Sequence, residues 1–188
     1  MRLLTLVLTA AFASSVAAAG PKPPLHRASP GQLDSLFSAL AKAESEDDAK
    51  LIEERILAAF FHSNSPTVDL LMARAAAAAH AGAGDTARKL IAAVTNVAPD
   101  YAEGWHQRGE MQADAGDDQG AMFCLQKTIT LNPRQFEALT ELAGLIEEYG
   151  DKQTALRLYR RALALDPYFD DVARKVRALT HELEGESL

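Results

Sequence analysis

The chain has 188 residues, 48% of them hydrophobic but only 6% aromatic, and a formal net charge of −7. That length suits one domain or a short repeat array, and the acidic balance lacks the basic footprint of a nucleic-acid binder and offers no attraction to anionic lipid. The single cysteine, Cys124, excludes an intramolecular disulfide, a thiol-rich metal site and a CxxC redox motif; it reads as a small buried apolar residue, with a reactive thiol or an intermolecular bridge as the rival reading.

Residues 1–19 run MRLLTLVLTAAFASSVAAA. Arg2 supplies a positive start, Leu3 to Phe12 an apolar stretch, and Ala17-Ala18-Ala19 the small-x-small pattern of a cleavable signal peptide. Cleavage is expected after Ala19, with a second option after Ala13. A buried N-terminal helix and an uncleaved anchor are the rival readings, and both are weakened because the stretch is short and its second half only mildly apolar. The mature chain is then expected to be periplasmic or secreted, without stable insertion in a membrane. Residues 20–31, GPKPPLHRASPG, carry four prolines and read as a stiff leader. Ser29-Pro30 also fits an N-cap followed by Pro at the first helical position.

Residues 32–67 are predicted to form a degenerate helical hairpin. Leu33, Leu36, Phe37 and Leu40 make an apolar stripe at helical spacing, and Ser45-Glu46-Asp47-Asp48 opens a second helix bearing Leu51, Ile52, Ile56, Phe60 and Phe61. This hairpin is expected to be either a drifted repeat copy or an N-terminal cap.

A strict period follows. Pro99, Pro133 and Pro167 lie 34 residues apart, as do Ala87, Ala121 and Ala155, and Gly82, Gly116 and Gly150. Three residue types thus hold one register across copies 68–101, 102–135 and 136–169. Each copy predicts a helix, a Gly-centred turn, a second helix and a Pro-containing turn. Gly116 suits a left-handed helix stop, and Asp117 and Asp151 stand where N-caps belong. Small residues at fixed steps let paired helices approach, and bulky ones fill the groove between them. The expected fold class is all-α.

The copies resemble the tetratricopeptide repeat family. The middle one reads Trp105, Gly109, Gln112, Ala121, Leu125, Thr128, Pro133; the last reads Leu139, Ala143, Ile146, Ala155, Tyr159, Ala162, Pro167; the first reads Leu71, Ala75, Ala78, Ala87, Ile91, Val94, Pro99. Residues 170–184 resemble the capping helix that usually follows a last repeat, which solvates an open array end. The segment from Ser65 also resembles repeat starts in short exported proteobacterial members of the family. Gln112 departs from the pattern, which favours an aromatic there, and Arg74 and Arg108 stand where Leu is usual. These arginines read as snorkelling or ion-paired structural groups, with a ligand-contacting pair as the rival.

The resemblance implies a right-handed superhelix of antiparallel helix hairpins, whose first helices line a concave groove. It carries the groove positions onto Asp69, Met72, Ala76, Ala79 and His80 in the first copy. In the middle copy they are Glu103, His106, Glu110, Ala113 and Asp114, and in the last Glu137, Thr140, Gly144, Glu147 and Glu148; Asp100 and Tyr101 sit at the first inter-repeat turn. That set is acidic and lacks the Lys, Arg and Asn residues that clamp a C-terminal carboxylate in some family members. It suits a basic or mixed-charge protein segment, although acids on a solvated helix face also serve solubility alone.

No catalytic chemistry is indicated. GAGD at 82–85 lacks the Lys-Ser/Thr ending of a P-loop, no Ser, His and Asp set sits in a nucleophile motif, and His80 and His106 belong to different helices, so neither a metal nor another cofactor is expected. The expected function is an exported scaffold or adaptor without enzymatic activity. The alternative is a structural subunit of a cell-envelope assembly that meets its partners through edges and ends.

Overall fold

The computed structural model describes residues 30–185, and among them finds nine helices and no strand. The expected signal peptide, both of its cleavage options and residues 20–29 of the leader lie outside the described residues. Three hairpins repeat in register. Helix α3 (Pro66–His80) pairs with α4 (Gly84–Val97), α5 (Ala102–Asp114) with α6 (Asp118–Leu131), and α7 (Phe136–Glu148) with α8 (Lys152–Leu165). Helix α9 (Asp170–Gly185) packs on α8 and covers the array end with Val172 and Leu179.

The turns explain the period. Gly82, Gly116 and Gly150 have φ of 72°, 75° and 91°, where an L side chain is strained and glycine is not. At each turn the chain closes a six-residue loop: Ala83 N–H donates to Ala78 O, Asp117 N–H to Gln112 O, and Asp151 N–H to Ile146 O. Asp117 and Asp151 then accept from the N–H groups of Gly120 and Thr154, capping α6 and α8. Ala83 offers no such acceptor, so α4 starts uncapped by a side chain.

The small residues lie at the closest helix approaches. Ala75, Ala87, Ala121, Ala143, Ala155 and Ala162 are all buried. A Cβ on Gly109 would stand 3.1 Å from Leu125 Cγ, which is why the middle copy has glycine there. Ile91, Leu125 and Tyr159 fill the space between the paired helices. No helix among the described residues is long and apolar enough to cross a membrane.

The N-terminal hairpin, α1 (Pro30–Leu40) and α2 (Glu46–Phe61), corrects two expectations. Pro30 and Gly31, assigned to the leader, form the first turn of α1, where the fixed φ of proline is already helical. The hairpin also neither extends nor caps the N-terminal end of the array. It lies across the inter-repeat turns. Tyr101 donates from its hydroxyl to Phe61 O, Arg134 pairs with Asp34 and stacks 3.9 Å over the Phe37 ring, and Tyr168 donates to Ala43 O. Leu36, Leu40, Ala49 and Ile56 join one core with Phe136, Leu139 and Tyr159. Phe37 and Phe169 both meet Phe136 edge-on. The hairpin carries an apolar stripe on each helix but has no 34-residue partner, so its pattern specifies helices without specifying where they dock.

Candidate functional site

The first helices α3, α5 and α7 run side by side and build the site. At its base lies His106, 1% exposed, on the face of α5 that meets α7. Its Nε2 is 3.1 Å and 3.2 Å from the two carboxylate oxygens of Glu141, and its Nδ1 is 3.4 Å from Glu103 Oε1. Glu103 is itself buried and accepts from the Gln107 amide at 3.2 Å and the Gln135 amide at 3.1 Å. Gln135 is held by the Glu137 N–H, which donates to its Oε1. Burial alone would lower the imidazole pKa. Hydrogen bonds to Glu103 and Glu141, and their charges, outweigh it and hold the pKa well above the usual value. The Gln135 amide nitrogen also stands 3.0 Å from Nδ1, an approach that fits a neutral ring protonated at Nε2. The surrounding carboxyl groups favour the charged ring.

Glu110 faces the same cluster without a hydrogen bond among the described residues. Its nearest cation is His106 Nε2 at 4.0 Å. Burial first, then repulsion from Glu141, Glu103 and Glu137, raises its pKa to about 7 against the pull of His106. Glu137 is pushed up in the same way, by burial, then Glu103 and Glu141. Four carboxyl groups therefore surround one imidazole.

Above Glu110 and Glu141 opens a cavity of about 570 Å³. Ala79, Met111, Leu125 and Leu145 give it apolar walls, and Asp114 and Glu148 stand with Glu110 and Glu141 around it. One ligand atom each from His106, Glu110 and Glu141 lies within 4.8 Å of the others, so these three residues could hold a divalent ion. Such an ion would have to displace the Nε2 proton that Glu141 accepts.

No family model matches the chain. A TPR repeat-containing protein of Rhizobium etli is 30% identical to it over 154 residues, covering 82% of this chain and 76% of the relative. The chain belongs to the tetratricopeptide repeat family. A probable biofilm formation methyltransferase of Pseudomonas putida is 35% identical over 101 residues, 54% of this chain but 24% of that one. Among solved structures, the first TPR of Spaghetti, bound to the HSP90 peptide SRMEEVD, superposes with a TM-score of 0.58 at 16% identity, covering 65% of this chain and 98% of its own. The fold is the tetratricopeptide solenoid.

Only part of the expected tetratricopeptide groove is open. Met72, Tyr101, Glu103 and His106 are buried, which corrects their placement on the accessible face. Met72 belongs to the core around Ile91 and Val94. Tyr101 is tied to the N-terminal hairpin through Phe61 O. Glu103 lies at the N-terminal end of α5, beside Leu33 and Phe60 of the hairpin. Three further candidates have structural partners. Asp69 accepts from the backbone and hydroxyl of Ser63, Thr140 donates back to Phe136 O, and Glu147 accepts from Tyr159 and Lys175, joining α7 to α8 and α9. His80 is exposed at the end of α3. Glu110 and Asp114 remain at the open pocket, with Glu137 half-buried in the cluster beside it.

Two functional residues escaped the sequence reading. Glu141 occupies the position 34 residues after Gln107, and both line the pocket. The family positions carried over skip that column, although the period itself points to it. Gln135 ends a turn, and no sequence signal directs its amide inward. The departures from the tetratricopeptide pattern resolve structurally. Gln112 replaces an aromatic and accepts from the Cys124 thiol while donating to Asp117. Arg108 stacks 5.6 Å from the Trp105 ring and donates to Thr95 Oγ1, whereas Arg74 is exposed.

Proposed function

We propose that the chain is an exported tetratricopeptide scaffold that holds a protein or peptide segment in the acidic part of its concave groove and catalyses no reaction. The observation that carries this reading is the open cavity between α3, α5 and α7, apolar in its walls and ringed by Glu110, Asp114, Glu141 and Glu148. The N-terminal hairpin occupies the other end of the same helices, so the open half of the groove is where a segment fits. The Spaghetti repeat carries a peptide with three acidic residues. Such a segment would meet like charge here, and a basic or mixed-charge segment meets complementary charge. Export is supported by the signal-like residues 1–19.

Selection of phage-displayed linear peptides on the protein tests the groove. Segments should enrich on the wild type and be lost on the Glu110→Gln, Asp114→Asn, Glu148→Gln triple variant. Equal enrichment on both would reject the groove. For export, N-terminal sequencing of protein from the periplasmic fraction should begin at Gly20 or at Ser14; full-length protein confined to the cytosol would reject it.

A further inference from the structure

We propose that the cavity seats one lysine or arginine side chain of the bound segment, its alkyl stem against Ala79, Met111 and Leu145 and its cationic head between Glu110 and Glu141. This rests on the groove reading above and names what the groove recognises.

Three observations converge. First, the cavity has the two-part chemistry of a long cationic side chain: apolar walls for methylenes and carboxylates for the head. Its volume, about 570 Å³, falls within the ~300–1,000 Å³ range of ligand pockets. Second, no Lys, Arg or His lines it, so nothing of the chain's own fills that role. Third, the one cation beneath is already committed. The His106 ring nitrogens face Glu141 and Glu103, which leaves Glu110 half-buried and without a hydrogen bond among the described residues. Glu110 points into a site short of positive charge.

Its raised pKa expresses the same shortage. The groups facing it are His106, Glu103 and Asp114 on its own helix and Glu137, Glu141 and Glu148 on α7. Helices α3 and α6 present Ala79 and Leu125 there, neither of them charged. A docked cation favours the ionised carboxylate, so binding releases a proton and weakens as pH falls below about 7.

The defined probes are Nα-acetyl-lysine methylamide, its arginine and norleucine counterparts, and zinc chloride, each titrated into the full chain and followed by amide chemical shifts. The lysine or arginine probe should shift the Glu110, Met111 and Leu145 amides saturably, and norleucine should not. Glu110→Gln should weaken that response about tenfold or more, the loss of a charge-assisted bond, with a melting temperature no lower than that of the wild type showing that the fold persists. Equal responses to lysine and norleucine would overturn the proposal. So would stoichiometric zinc binding that His106→Gln abolishes in the absence of any lysine response, because the cluster would then be a metal site. The peptide selection separates this proposal from the reading beneath it. Enriched segments with a basic residue at one fixed position support both, enriched segments without one overturn only the cation seat, and no enrichment overturns the groove itself.

Discussion

His106 is the residue on which the site is centred. Replacing it with leucine removes the imidazolium and leaves the buried Glu103 carboxylate with only the amides of Gln107 and Gln135. Breaking a buried pair from one side costs about 3 kcal/mol or more, so His106→Leu should lower unfolding free energy by about that much in urea titrations; a change near zero would mean that the ring carries no charge. Nitrogen chemical shifts of the ring give an independent check, since both nitrogens should stay protonated at neutral pH. Sequence alone named His106 as a groove residue and could not see that it points inward. On a helix surface the step from position 106 to position 110 is one turn, and an exposed and a buried position differ by a rotation that only the neighbouring helix decides. Glu110 and Asp114 were legible because the family register carries them. Glu141 was not, because its role depends on a contact with His106 across two helices.

At the scale of elements, the three copies are legible because the turns write themselves into the chain: glycine for positive φ and proline for the reversal in all three, and aspartate for the cap in the second and third. The N-terminal hairpin has no such register. Its docking depends on long-range contacts between residues about a hundred positions apart, Arg134 with Asp34 and Leu33, and Tyr168 with Ala43. Arg134 contributes an ion pair, a hydrogen bond to Leu33 O and a stacked guanidinium on Phe37. Arg134→Ala should therefore loosen α1 and α2 by about 1 kcal/mol, the sum of a half-exposed pair and a cation–π contact. Hydrogen exchange should quicken across residues 30–61 and stay unchanged in α6 and α8. Uniform quickening would show instead that the hairpin and the repeats unfold as one unit.

For the whole molecule, the titrating groups pull in one direction. Glu53 and Asp166 join α2 to the end of α8 as a carboxyl pair, and burial and, for Glu53, the charge of Asp166 raise their pKa values. Glu110, Glu137 and His106 are raised in the groove. A raised folded-state pKa gives stability that is complete below the unfolded value and lost as pH rises through the folded one, because the folded chain binds more protons than the unfolded chain. For the four carboxyl groups that loss begins at the ordinary carboxylate value and, for Glu110, is nearly complete by about pH 7; for His106 it begins at the ordinary imidazole value and extends well beyond it. Asp151, lowered by its cap hydrogen bonds to Thr154, acts in the opposite sense only at more acidic pH, outside this interval. A chain of net charge −7 adds self-repulsion of the same sign as its remaining protons leave. The melting temperature should therefore fall by several degrees from mildly acidic to mildly alkaline solution. The slope should flatten in a Glu110→Gln, Glu137→Gln, Asp166→Asn variant, which keeps the neutral form of each side chain at every pH. A melting temperature that rises over that interval, or a variant as steep as the wild type, would show that these buried acids ionise in the folded chain as they do in water.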